Sequence, residues 1–517
     1  MAGEESGKAL TKTQKMGLLL GPFLFCVILL LDLEPGNPTV TRMAAVASLM
    51  AAWWITDAIP LSATALIPMV LYPLLGIMKG KETAPIYMNS TIFLFLGGFM
   101  IAVTMEKWRL HKRIALWIIR AIGGGPSGIT GGFMLAAAFL SMWIANTATA
   151  IMMVPIGLAV ILQMETEFGR EPTRTFAVGL MLAIAYSCSM GGIATLVGTP
   201  PNLSFARIFE ITFPDAEPIS FGQWIIMAFP VTLVMLVSIW LLITKVFFRV
   251  PKALTVDRSI VTEEYKALGP MRFEEKAVFV VFALTALLWV SRRELVMGAF
   301  TLPGWSQWLP YPDLIDDGTV ALGTALALFL IPTRTKDADT PRIASAPLIA
   351  KLPWNIVLLF GGGFALAKGF QVTGLSSLIG RQFAGLAGVA PILVTAAVCF
   401  SLTFLTELTS NTATTEMILP ILASVAVAMG INPLMLMVPA TLSASCAFMM
   451  PVATPPNAIV FGSGRIKISE MAKVGIFINL VGVLVISLFF YTIGRAVFGI
   501  HPEIFPTWAH LPGPQGH

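Results

Sequence analysis

The chain has 517 residues, of which 56% are apolar and 12% charged, with 33 Lys plus Arg against 28 Asp plus Glu and a formal net charge of +5. Soluble domains carry about 25% charge, so this chain cannot cover the surface of several globular units, and a soluble fold is excluded. A mean hydropathy of +0.83 with 44 Gly, 35 Pro and 27 Met indicates an all-α polytopic membrane protein with broken, closely packed helices rather than a lipid-facing barrel.

The basic residues are dispersed among loops, which speaks against a nucleic-acid partner and leaves them as markers of orientation in the lipid bilayer. Cys26, Cys188, Cys399 and Cys446 each sit in an apolar run without CxxC spacing, and the four histidines (His111, His501, His510, His517) lie outside those runs. Neither a disulfide framework nor a zinc site is indicated.

From the N-terminus, a cytoplasmic tail (1–15) with Lys8, Lys12 and Lys15 precedes the apolar stretch Met16 to Leu31. It looks like a signal peptide, but Asp32, Leu33, Glu34 and Pro35 offer no small-residue cleavage site, so the stretch reads as a first span. With about 20 apolar residues needed per crossing, eleven spans are predicted near residues 16–33, 43–59, 61–78, 90–106, 175–205, 222–248, 277–293, 317–332, 353–370, 432–461 and 474–498. Loop charge alternates accordingly. Residues 107–120 carry Lys107, Arg109, Lys112, Arg113 and Arg120 and no acid, and 245–276 carry seven Lys or Arg; both read as cytoplasmic. Residues 107–120 also interleave apolar positions and read as an amphipathic surface helix. Residues 206–221 and 294–316 are acidic and read as external, and eleven spans leave the C-terminus outside.

Residues 131–164 and 391–429 do not fit as simple spans. Each apolar run is interrupted by a polar cluster that leaves arms of about 14 to 16 residues, too short to cross. They read as hairpins that enter the membrane and return on the same side, or alternatively as long tilted spans with a polar middle.

The second half repeats the first. Phe95, Gly97, Gly98, Phe99 and Ala102 recur as Phe360, Gly362, Gly363, Phe364 and Ala367, a shift of 265. The same shift carries Asn146, Thr147, Ala148, Thr149, Met152 and Pro155 onto Asn411, Thr412, Ala413, Thr414, Met417 and Pro420. Thr199-Pro200-Pro201-Asn202 returns as Thr454-Pro455-Pro456-Asn457 at a shift of 255. One hairpin follows a cytoplasmic segment and the other an external one, so the repeats are inverted, the plan of a secondary transporter with its site near the midplane.

At a hairpin tip, Asn and Thr offer amide and hydroxyl groups. A short helix starting at Thr147 or Thr412 would aim its free N–H groups at a bound anion. The paired prolines interrupt their helices and release carbonyls around Gly198 and Ala453, oxygen ligands that suit a hard cation such as sodium. No Lys, Arg or His occurs in 131–164, 175–202, 391–429 or 432–461, so an anion bound there needs co-bound cations for positive charge. Moving a dianion against an inside-negative potential costs about 2.3 kcal/mol per charge per 100 mV, and three or more sodium ions per dianion would make the cycle electrically favourable.

Paired Asn146-Thr147 and Ser410-Asn411-Thr412 tips, each followed by a Thr-Pro-Pro-Asn break, resemble the divalent anion:sodium symporter family, which contains sodium-coupled di- and tricarboxylate transporters. The resemblance spans nearly the whole chain. It implies eleven spans, two re-entrant hairpins, a homodimer and elevator-type movement in a plasma membrane such as the bacterial inner membrane. It also implies scaffold parts at 16–120 and 277–370, transport parts at 121–249 and 371–498, a cytoplasmic linker at 250–276 and an external tail at 499–517. One sodium site would use Ser141, Ala145, Asn146 and Gly198, the other Thr406, Ser410, Asn411 and Ala453. Substrate carboxylates would be held by Asn146, Thr147, Thr199 and Pro200 in one half and by Asn411, Thr412, Thr454 and Pro455 in the other. The first tip departs from the family triplet Ser-Asn-Thr: Ala145 replaces its serine and removes one hydroxyl.

The expected activity is sodium-driven import of a C4-dicarboxylate such as succinate, malate or fumarate; citrate or sulfate fits the same logic, and sodium-independent dicarboxylate exchange is the alternative. An intramembrane enzyme is disfavoured because Ser141 and Ser410 have no His partner nearby. Glu407 and Glu416 replace Met142 and Ile151 of the first repeat and stand as either proton-coupling or structural carboxylates.

Overall fold

In the computed structural model, residues 9–122, 124–249, 259–297, 300–335, 340–383, 385, 388–501 and 504–511 are described. The start of the expected N-terminal tail, residues 250–258 of the expected linker and the end of the expected C-terminal tail lie outside them. The described chain is nearly all helix.

Helix α1 (Lys12–Leu29) opens at a capping box between Thr11 and Gln14, and α2 (Pro38–Thr56) has proline at its first position and ends at Asp57 in the left-handed conformation. The expected span 61–78 is not one helix. It divides into α3 (Leu61–Thr64) and α4 (Ile67–Leu74), because Pro68 withholds the N–H that the Thr64 carbonyl would need. After α5 (Gly80–Thr83), α6 (Ser90–Lys107) is capped by the Asn89 side chain, which accepts from the N–H groups of Thr91 and Ile92. The expected amphipathic helix is α7 (Leu110–Ile122), whose buried Arg113 pairs with Glu275 at 3.0 Å.

Helices α8 (Gly125–Ser141) and α9 (Asn146–Phe168) flank a short turn over 142–145. At 17 and 23 residues they exceed the expected arm length, so the argument that both arms are too short to cross fails for α9. Backbone hydrogen bonding carries that helix past its apolar run through Gln163 to Phe168, and it stops only at Gly169, with φ +86°. The long α10 (Arg170–Ile193) is almost wholly buried and is followed by α11 (Pro200–Thr212), α12 (Phe221–Leu241), α13 (Ser259–Ala267) and α14 (Phe273–Val290). A small antiparallel pair, β1 (Leu295–Met297) and β2 (Phe300–Leu302), sets Leu295 opposite Leu302.

Then come α15 (Asp317–Leu330), the short α16 (Ala346–Ala350), α17 (Trp354–Thr373) and α18 (Leu375–Gln382). The second tip joins α19 (Pro391–Leu405) to α20 (Asn411–Ala428). The second break separates α21 (Leu434–Ala444) from α22 (Pro455–Gly462), and α23 (Ile468–Phe489) follows. Eight helical segments among the described residues are long and apolar enough to cross a membrane, including α9 and α20. The short-arm expectation is therefore corrected for α20 as well, at 18 residues.

The two repeats interleave. Helix α10 packs on α8, α9 and α22, and its counterpart α21 packs on α19, α20 and α11. Glycine sets the closest crossings, as expected where small residues let membrane helices approach. A Cβ at Gly97 would lie 2.6 Å from the Ala321 backbone, and one at its repeat equivalent Gly362 would lie 2.6 Å from Ala65. Each repeat thus seats its glycine on an alanine of the other.

Candidate functional site

Both turns and both breaks line one cavity of about 550 Å³. Asn146 opens α9 and Asn411 opens α20, one residue before the expected helix starts at Thr147 and Thr412. These helices run 23 and 18 residues and are not the short helices expected. Their first-turn N–H groups lack intrahelical partners and give each tip positive character. Ser410 caps α20 by accepting from the Ala413 N–H at 3.4 Å, whereas Ala145 offers α9 no side-chain cap.

A hydroxyl five residues upstream holds each asparagine. Ser141 donates to Asn146 Oδ1 at 2.5 Å, and Thr406 donates to Asn411 Oδ1 at 2.5 Å. Both hydroxyls are buried behind the cavity wall. Thr406 has a second acceptor in the Ala444 carbonyl at 2.9 Å, which ties the second tip to the end of α21. In the first tip Thr195 makes the equivalent tie to the Met142 carbonyl at 2.5 Å.

The breaks are clamped by the last residue of each Thr-Pro-Pro-Asn motif. Asn202 Nδ2 donates to the carbonyls of Gly192, Ile193 and Thr195 at 3.2, 3.2 and 2.7 Å. Asn457 Nδ2 donates to those of Ala447 and Met450, both at 3.1 Å. Carbonyls released at the end of one half-helix are thereby taken up by an amide at the start of the next. A Cβ placed on Gly192 would lie 2.7 Å from Asn146 Oδ1 and 3.0 Å from the Gly198 carbonyl oxygen, so the tip and the break converge on that glycine.

Of the expected site residues, Ala145, Asn146, Thr147, Gly198, Thr199 and Pro200 line the cavity from the first repeat, and Ser410, Asn411, Thr412, Ala453, Thr454 and Pro455 from the second. Ser141 and Thr406 do not reach it and act through their asparagines. Sequence reasoning missed Ser189 and Ser445, which line the cavity with buried hydroxyls that have no hydrogen-bond partner among the described residues. It also missed the wall formed by Trp54, Asp57, Phe95, Phe99, Trp143 and Ile356. Phe95 and Phe99 belong to the repeated glycine-rich stretch, but no motif marks the others, and only packing brings these residues to the cavity. Among the described lining residues there is no Lys, Arg or His, and the only charged side chain is that of Asp57.

The two carboxylates of the second hairpin have different surroundings. Glu407 accepts from the backbone N–H groups of Phe448, Met449 and Met450 at 2.7, 2.9 and 3.0 Å and from Asn479 Nδ2 at 2.7 Å. It satisfies the donors that the second break exposes, which is a structural role. Glu416 is bonded to the Ser204 hydroxyl.

Residues 12–500 match the family described as "Sodium:sulfate symporter transmembrane region". The chain is 41% identical over 506 residues to the sodium-dependent dicarboxylate transporter SdcS of Staphylococcus saprophyticus, covering 96% of this chain and 95% of that one. It is 42% identical over 499 residues to SdcS of Staphylococcus aureus strain MRSA252, covering 95% and 94%. The fold resembles that of the YdaH transporter of Alcanivorax borkumensis, with a TM-score of 0.54, 11% identity and coverage of 94% and 99%. It also resembles MtrF of Neisseria gonorrhoeae, with a TM-score of 0.55, 15% identity and coverage of 92% and 98%.

Proposed function

The chain belongs to the sodium:sulfate symporter transmembrane family, and from that membership we propose that it imports C4-dicarboxylates such as succinate, malate or fumarate together with sodium ions. It is a multi-pass membrane transporter, not an enzyme, and sodium is its co-transported ion.

One observation carries the reading: two Asn-Thr tips and two Thr-Pro breaks share a cavity whose described lining has no basic side chain. An anion there is met by helix N-termini, amides and hydroxyls, which leave its net charge uncompensated. Sodium ions held by Ala145, Asn146 and Gly198 on one side, with Ser141 orienting Asn146, and by Ser410, Asn411 and Ala453 on the other, with Thr406 orienting Asn411, would supply that charge. The carboxylates would lie between Asn146, Thr147, Thr199 and Pro200 and their counterparts Asn411, Thr412, Thr454 and Pro455. Two equivalent tips suit a ligand with two anionic ends.

In the wider scheme, the hairpins are re-entrant, the repeats inverted, the N-terminus cytoplasmic and the C-terminus external. Transport parts (121–249 and 371–498) move as an elevator against scaffold parts (16–120 and 277–370) within a homodimer. Uptake of labelled succinate into proteoliposomes, with and without an inward sodium gradient, tests the reading. Sodium-dependent uptake supports it, and loss of uptake in folded Asn146→Ala and Asn411→Ala proteins assigns the site. Uptake that needs preloaded dicarboxylate and no sodium would replace symport by exchange. Competition by sulfate or citrate but not succinate would change the substrate class.

A further inference from the structure

Glu416 is fully buried in α20, five residues beyond Asn411, at a position where the first repeat has Ile151. Its Oε1 meets the Ser204 hydroxyl of α11, while its Oε2 has no hydrogen-bond partner among the described residues. That oxygen is the atom nearest to a Cβ placed on Gly363, so the carboxyl is pressed between α11 on one side and the glycine-rich turn of α17 on the other. Helices α11 and α20 carry cavity residues, and α17 belongs to the part assigned above to the scaffold.

Among the described residues no cation pairs with this carboxyl. Of the helices packed on α20, α21 has no charged side chain. Helix α11 brings Arg207 and Glu210, which bond each other at 2.7 Å, and α17 brings Lys368, bonded to Gln371 at 2.6 Å. Helix α18 brings Arg381, paired with Glu34, and α2 brings Arg42, whose guanidinium donates to the Leu75 carbonyl at 2.9 Å. Among the described residues Glu416 has no ion pair. A fully buried ionised carboxylate with one hydroxyl donor and no counter-charge is strongly disfavoured; the neutral acid fits the same space.

We propose that Glu416 is a proton-binding site of the transport cycle, a carboxylic acid whose proton allows α20 and α11 to pack against α17. The proton is taken from water when α20 separates from α17 and is retained while they are in contact. Ionisation stops the cycle by holding the pair apart. The proposal rests on the transport reading above, so one of its tests does not require transport.

Infrared difference spectra of the full-length protein in lipid read the proton directly. The wild type should show the carbonyl stretch of a protonated carboxylic acid, and E416Q should lack it; an unchanged acid band in folded E416Q overturns the proposal. If E416Q does not fold, the band is assigned by S204A, which removes the hydrogen-bond partner and should shift its frequency; no shift overturns it. In proteoliposomes, wild-type succinate uptake should fall as pH rises, approaching about tenfold per pH unit once the acid ionises, the limit for one proton. E416Q, which mimics the neutral acid, should vary less than about twofold over the same range. Equal pH profiles for both proteins would remove the proton from the cycle. If neither takes up succinate at any pH while the acid band behaves as expected, the substrate reading has failed and the proton site stands.

Discussion

Phe95 and Phe360, equivalent positions of the two repeats, pack edge to face on each other, with ring centroids 5.3 Å apart and an interplanar angle of 86°. A residue that touches its own repeat equivalent lies on the axis relating the repeats, and Phe95 also lines the cavity. The site is therefore built around the internal symmetry, and departures from that symmetry can be tested as paired substitutions.

The first pair is Ser141 and Thr406. Each aligns an asparagine without reaching the cavity, so Ser141→Ala and Thr406→Ala should leave the maximal uptake rate near wild type at saturating sodium. Each should raise the sodium concentration for half-maximal uptake about 2- to 10-fold, the value of one net hydrogen bond of about 0.5–1.5 kcal/mol. Sodium titration of uptake at fixed succinate measures this, and unchanged curves would mean that the hydroxyls do not set asparagine geometry.

Ala145 and Ser410 form an asymmetric pair. Ala145→Ser should supply the missing cap of α9 and stabilise the protein by about 0.5–1 kcal/mol, seen as a higher unfolding temperature in detergent. It should also lower the sodium concentration needed for uptake, because it restores the hydroxyl present in the second tip.

Asn202 and Asn457 should be required for stability more than for chemistry. Asn202→Ala leaves three carbonyls without their amide and Asn457→Ala leaves two. We expect losses of about 1–3 kcal/mol, larger for Asn202, in thermal unfolding. Equal, negligible losses would show that water can replace both clamps.

Gly192 admits no side chain. Gly192→Ala should push against both the Asn146 amide and the Gly198 carbonyl, reducing sodium-dependent uptake more than about tenfold, a barrier change of about 1.4 kcal/mol, with normal expression. Retained uptake in this variant would show that tip and break do not act as one site.

Glu407 should behave as a structural anion. Glu407→Ala strands three backbone N–H groups and should destabilise by about 3 kcal/mol or more, and Glu407→Gln should be only a partial remedy because its amide presents a second donor to them. Unfolding temperatures of the two variants decide this; an undisturbed Glu407→Ala protein would return Glu407 to the proton-coupling candidates.

Composition, period and punctuation are local properties, and they are what the sequence by itself determined. Apolar runs required membrane helices, Pro200-Pro201 and Pro455-Pro456 required breaks, and the constant shift from Asn146-Thr147 to Asn411-Thr412 required two equivalent tips. Helix ends were legible only where a cap or proline announces them; α9 outran its apolar run because hydrogen bonding, not hydropathy, sets its length. Tertiary structure decided the partnerships between distant residues. Ser204 and Glu416 are 212 positions apart, and nothing in the sequence near either says that they meet. The same holds for Glu407 beneath the second break, Ser141 and Thr406 behind their asparagines, and Asp57 at the cavity wall. Glu407 and Glu416 look alike in the chain, yet one is surrounded by N–H donors and the other by a hydroxyl and a glycine, and it is this packing that separates an anchor from a proton site.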